Sequence, residues 1–179
     1  REVLEQHTEF LGTKHTNGFP LLIKFIDAKE DLSIQVHPDD EYAFKYENGE
    51  RGKTEMWYVL DATKDATLIY GLKRDITKEE LLKAITDNTL TKYLQYVPVK
   101  KGDVFFIEPG TIHAINAGAL IVEIQESSNL TYRLYDYNRI DKNGKKIKRH
   151  GYSYISLQCT LQNVQQIQGS VKARRRNQR

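Results

Sequence analysis

The chain has 179 residues, of which 39% are hydrophobic and 28% charged, and its formal net charge is +3. That length makes one domain with a real core, and eleven Tyr against one Met at this apolar content exclude a disordered body and suit a β-rich one. No run approaches the ~18 apolar residues of a membrane span, and Arg1-Glu2-Val3-Leu4-Glu5 is not a signal peptide, so no membrane partner is expected.

The positive charge is unevenly placed. From Lys142 to Arg179 there are ten Lys or Arg and no acid, whereas residues 1–141 carry 17 basic and 24 acidic side chains. An acidic body argues against a nucleic-acid partner, and Arg174-Arg175-Arg176 has no aromatic platform beside it. Cys159 is the only cysteine, which rules out an intrachain disulfide and points to a reducing, cytoplasmic setting.

In chain order, Phe19 to Asp27 reads as a strand, Lys29-Glu30-Asp31 as a polar turn, and Leu32 to His37 as a hairpin-like neighbouring strand. Pro38-Asp39-Asp40 favours a helical turn with Pro near its first position and acids at its positive end. Thr54 to Leu60 and Ala66 to Leu72 follow as strands. Thr77-Lys78-Glu79-Glu80 has capping-box spacing, and Leu81, Leu82 and Ile85 form one apolar face, so Thr77 to Asn88 is predicted helical. Tyr96 to Val99, Val104 to Ile107, Leu120 to Gln125 and Thr131 to Tyr137 resume the strand pattern, with Lys101-Gly102-Asp103 and Asn116-Ala117-Gly118 as turns. Short strands joined by Gly-containing turns predict a mainly β barrel or sandwich with one or two short helices, not a parallel α/β sheet.

Chemistry concentrates in three separated segments. Along a strand, residues i and i+2 share a face, so Ser33, Gln35 and His37 project together while Leu32, Ile34 and Val36 face the other way. The same alternation also describes an ordinary half-exposed strand. Glu55 adds a carboxylate and His113 a second imidazole, a set of two nitrogens and two oxygens that suits Zn²⁺ and also accepts Mn²⁺, Fe²⁺ or Co²⁺. Only one of these ligands is anionic, which would leave a bound ion a strong Lewis acid. His7, His15 and His150 have no ligand-spaced partner and read as surface residues.

Five segments together carry a resemblance. They are Phe19-Pro20-Leu21-Leu22-Ile23-Lys24, Leu32-Ser33-Ile34-Gln35-Val36-His37-Pro38-Asp39, Lys53-Thr54-Glu55-Met56-Trp57-Tyr58, Gly110-Thr111-Ile112-His113-Ala114-Ile115, and the stretch from Glu123 to Tyr137 that contains Tyr132-Arg133-Leu134-Tyr135-Asp136. In sequence and order they resemble the type I mannose-6-phosphate isomerases (phosphomannose isomerases) of the cupin superfamily, over roughly Gly18 to Arg139. The resemblance implies a cupin-like jelly-roll β-barrel, one Zn²⁺ per chain held by Gln35, His37, Glu55 and His113, and catalytic roles for Arg133 and Lys53. Ser33, Glu123 and Arg139 are further substrate-binding candidates. The implied reaction interconverts mannose 6-phosphate and fructose 6-phosphate through a cis-enediol, so the expected partner is a small sugar phosphate.

Taken singly, Lys53 reads as a solvated strand end and Arg133 as a barrel-rim cover. The spacing departs from the general cupin pattern, because Pro109 directly precedes Gly110 and Asn116 lies three residues after His113. By the resemblance, residues 1–149 form the metal-binding isomerase domain with the first part of its barrel missing. Residues 150–179 form a basic, Gln-rich, poorly packed tail, of the kind a shifted reading frame would produce. The competing readings are a noncatalytic cupin that binds a sugar phosphate, an inactive fragment of the isomerase, and a metal-dependent oxidoreductase on the same barrel.

Overall fold

The computed structural model describes residues 6–11, 19–140 and 143–145. The predicted tail 150–179, His15 and His150 lie outside the described residues. Among the described residues, nine strands form two antiparallel sheets. They are β1 (Leu21–Asp27), β2 (Ile34–Val36), β3 (Glu55–Ala62), β4 (Thr67–Leu72), β5 (Leu94–Pro98), β6 (Val104–Ile107), β7 (His113–Ile115), β8 (Ala119–Glu126) and β9 (Tyr132–Tyr135). The first sheet runs β1-β8-β3-β6 and the second β5-β4-β7-β2-β9. The mainly β, jelly-roll reading is borne out as a two-sheet sandwich; among the described residues no ladder closes the sheets into a single barrel.

The predicted β1–β2 hairpin is not formed. β1 pairs with β8, whereas β2 pairs with β7 and β9 in the other sheet. Residues 28–33 carry the chain across the sandwich, held by Ala28 N–H donating to Ala119 O, Leu32 N–H to Ile115 O and Ala117 N–H to the Asp31 carboxylate. A short polar segment serves either as a hairpin turn or as a crossover, and the buried partners of each strand decide between them.

Two α-helices are formed among the described residues, α1 (Asp40–Tyr46) and α2 (Lys78–Thr86). Asp39 caps α1 by accepting from Tyr42 N–H at 2.8 Å, so Pro38 precedes the cap and is not the first helical residue. Thr77 and Glu80 form the predicted capping box, with reciprocal bonds of 3.1 and 2.9 Å. α2 buries Leu81, Ala84 and Ile85, with Leu82 packed at the margin.

Among the described residues the buried side chains gather in two apolar clusters. Ile34, Val36, Ile69 and Leu134 meet the helix residues Tyr42, Leu81 and Ile85 in one. Trp57, Val59, Leu68, Tyr70, Phe105, Ile107 and Ile121 meet in the other. Because strand residues alternate, burying Ile34 and Val36 on one face of β2 sends Gln35 to the opposite face.

Candidate metal centre

Sheet register lines up the polar side chains. Across the second sheet, Tyr70 on β4 faces His113 on β7, His113 faces Gln35 on β2, and Gln35 faces Arg133 on β9. A register shift between Ile34 and Gln35 interrupts the β2–β9 ladder at that point; such bulges re-aim side chains beside functional sites. On the first sheet, Glu55 opens β3 opposite Ile107 and Gln125. His37 lies one residue past β2, where its carbonyl accepts from Gly110 N–H at 2.8 Å while Pro38 O accepts from Lys53 N–H at 3.0 Å.

These strands converge on one buried point. The His37 Nε2 atom lies 3.2 Å from Glu55 Oε1, and His113 Nε2 lies 3.6 Å from Glu55 Oε2. One donor atom from each of His37, Glu55 and His113 lies within 4.8 Å of the others. Gln35 completes the set, its amide nitrogen 3.3 Å from His113 Nε2; a half-turn of the carboxamide would bring its oxygen to the same place. Lys53 Nζ reaches Glu55 Oε1 at 2.9 Å and is itself buried.

The donor set fits a divalent ion. His37 Nδ1 is 2.9 Å from Leu130 O, and His113 Nδ1 is 2.8 Å from Thr111 O. A carbonyl only accepts, so each Nδ1 carries the proton and each neutral ring turns its Nε2 lone pair toward the carboxylate. Backbone acceptors behind metal-binding imidazoles fix ring and tautomer in this way. Burial pushes the His37 imidazole below its ordinary value, and pushes His113 down to about 3 with help from the nearby His37. Burial alone would raise Glu55, but contact with His37 and the charges of His113, His37 and Lys53 hold its carboxyl well below the usual range. At neutral pH the centre therefore offers uncharged imidazoles and an ionised carboxylate, the forms that ligate.

Beside Gln35 opens a cleft of about 720 Å³, whose wall includes Ser33, Arg133, Asp136 and Arg139. Arg133 Nε is buried and has no hydrogen-bond partner among the described residues. Arg139 Nε donates to Asp136 at 3.0 Å and its guanidinium lies 5.4 Å from the Tyr137 ring centre. Tyr137 and Asn138 have φ of 51° and 55°. The left-handed region is unusual for Tyr and marks a turn held by its surroundings at the cleft.

The structure thus brings Gln35, His37, Glu55, His113 and Lys53 together, with Ser33, Arg133 and Arg139 on the adjoining cleft. Glu123 is buried, with its carboxylate taken by Lys24 at 2.8 Å and by the Trp57 indole at 3.1 Å. His7 is exposed, as expected. Sequence reading missed Lys24 and Trp57. The available signal was strand parity: with β1 facing inward at Ile26, Lys24 shares that face, and Trp57 shares the face of Glu55.

A two-sheet antiparallel sandwich around a buried His-Glu-His cluster that could hold a metal ion is an architecture of the cupin type. Residues 1–50 match the family model "Phosphomannose isomerase type I, catalytic domain". The chain is 50% identical over 149 residues to mannose-6-phosphate isomerase ManA of Bacillus subtilis, covering 83% of this chain and 47% of that protein. It is 46% identical to the mannose-6-phosphate isomerase of Streptococcus mutans, covering 83% of this chain and 46% of that one. A crystal structure of the Bacillus subtilis mannose 6-phosphate isomerase superposes with a TM-score of 0.79 at 42% identity, over 87% of this chain and 49% of that chain. By these matches the chain is similar to mannose-6-phosphate isomerases over most of its own length, and it spans about half the length of the curated relatives it matches.

Proposed function

We propose that this chain carries the metal-binding part of an aldose–ketose isomerase that interconverts mannose 6-phosphate and fructose 6-phosphate in the cytoplasm. The observation that carries the reading is the convergence of His37, Glu55 and His113 donor atoms within 4.8 Å, beside a cleft walled by Arg133 and Arg139. Gln35, His37, Glu55 and His113 would hold one Zn²⁺. When bound, the ion supplies Lewis-acid polarisation of the substrate's C1 and C2 oxygens.

The protein's own groups do the rest. The reaction moves a proton between C1 and C2 through a cis-enediol, and a positioned acid/base contributes about 10²- to 10⁴-fold in rate. Lys53, held against Glu55, is assigned that proton-handling role. Arg133 supplies a guanidinium with an unused buried Nε–H, suited to the charge that develops as the enediol forms. Arg139 and Ser33 face the same cleft and would bind the phosphate end and hydroxyls, since a guanidinium fork matches phosphate geometry. Glu123 assists from behind the centre.

The test is isomerisation measured beside metal content. His113→Ala is expected to lose both metal and turnover. Arg133→Ala is expected to retain metal and lose about 10²-fold or more in turnover, as for removal of one transition-state donor. Normal turnover in metal-free His113→Ala protein would defeat the reading.

A further inference from the structure

We propose that Trp57 is a positioning residue of the metal centre, its indole N–H shared between Glu55 and Glu123 so that the metal-binding carboxylate is fixed by the first sheet. The inference rests on the metal reading above. Trp57 Nε1 lies 3.1 Å from Glu55 Oε2 and 3.1 Å from Glu123 Oε2. An indole nitrogen only donates, so one hydrogen serves two carboxylates. Each acid is completed from its other side, Glu123 Oε1 by Lys24 Nζ at 2.8 Å and Glu55 Oε1 by Lys53 Nζ at 2.9 Å. The result is an alternating row of ammonium, carboxylate, indole, carboxylate and ammonium, buried from Glu123 to Lys53 and open to solvent at Lys24.

Register builds this row from Lys24 to Glu55, and the loop before β3 adds Lys53. Lys24 on β1 faces Glu123 on β8, and Glu123 faces Trp57 on β3. Trp57 is fully buried, packs in the intersheet cluster and meets the His113 ring edge-on at 5.3 Å. Its ring therefore cannot turn away without opening the core, and the N–H stays aimed at Glu55. The carboxylate must present oxygen to an ion flanked by His37 and His113, so losing that donor frees Glu55 to rotate and leaves two buried acid oxygens poorly satisfied. Phe at this position keeps the ring and removes only the N–H.

The experiment titrates the 179-residue chain with Zn²⁺ by calorimetry, wild type beside Trp57→Phe, with circular dichroism to check folding. Outer-shell partners of metal ligands typically contribute about 10- to 100-fold in affinity, and a rise in Kd of that size in a folded variant is expected. An unchanged Kd, even with a lowered unfolding temperature, would show a packing role only and overturn the inference. Wild-type protein that binds no Zn²⁺ would instead sink the metal reading, and this inference with it. Should Trp57→Phe fail to fold, the wild type answers alone, because Trp57 is the only tryptophan. Its single indole N–H resonance is expected to shift on addition of one equivalent of Zn²⁺, and a signal unmoved at saturation would overturn the proposal.

Discussion

His113 is fully buried between the indole of Trp57 and the carboxamide of Gln35, with its Nδ1 proton committed to Thr111 O. Its folded pKa, down at about 3 against an ordinary 6.5, has a consequence for the metal-free protein. Between those two values the unfolded chain takes up a proton that the folded chain refuses, so stability falls as pH drops from about 6.5 toward 3 and is indifferent to this group above 6.5. Glu55, held low in the fold, acts in the same direction: its contribution is present above the ordinary carboxylate value and is lost in acid. The urea midpoint of metal-free protein is therefore expected to decline below pH 6.5, and His113→Gln is expected to flatten that decline. An equally steep decline in the variant would assign the pH dependence to other groups. His113 was legible as a candidate ligand because its imidazole follows Gly110-Thr111 in a resembled motif; its neutral state was not, since that depends on burial by strands far away in sequence.

Among the elements, the loop from Gly52 to Lys53 bears most directly on the site. A Cβ added at Gly52 would lie 2.4 Å from the Asp39 carbonyl carbon and 2.5 Å from Asp40 N, where the loop crosses the start of α1. Gly52 N–H also donates to the Asp40 carboxylate at 2.8 Å, and Lys53 N–H to Pro38 O at 3.0 Å. Gly52→Ala is thus expected to cost about 1–3 kcal/mol in chemical unfolding, as overpacking does, and to weaken Zn²⁺ binding by displacing Lys53 and His37; a neutral effect on both would contradict the close approach. Thr77→Ala, far from the site, should cost about 1 kcal/mol through the lost α2 cap and leave Zn²⁺ affinity unchanged. The capping box was readable from Thr77 and Glu80 because it is local. β7 was not readable as a strand, since three residues, His113–Ile115, owe their extended form to pairing with β2 and β4.

For the molecule as a whole, the fold class was legible in strand alternation and Gly turns, and the four candidate metal ligands in the resembled segments. Sheet partnership was not, because the choice of β8 over β2 as the neighbour of β1 rests on contacts about a hundred residues apart, such as Lys24 with Glu123. The first sheet also turns Ile23, Phe25, Tyr58 and Phe106 outward, Phe25 being 75% exposed. Propensity alone does not reveal which face of an apolar strand is covered. Ligand binding to the folded state stabilises by mass action, so Zn²⁺ at 100 times its Kd is expected to add about 2.7 kcal/mol to the unfolding free energy. No shift in the denaturant midpoint at saturating Zn²⁺ would mean that the ion does not bind the folded chain preferentially.

The most direct measurement is the stoichiometry and ligand field of Co²⁺ titrated into metal-free protein, followed by visible absorption. Saturation at one ion per chain is predicted, with a spectrum of nitrogen and oxygen ligation, and its loss in both His37→Ala and His113→Ala. Absence of a bound ion, or a spectrum that survives both substitutions, would contradict convergence of Gln35, His37, Glu55 and His113 on a single metal.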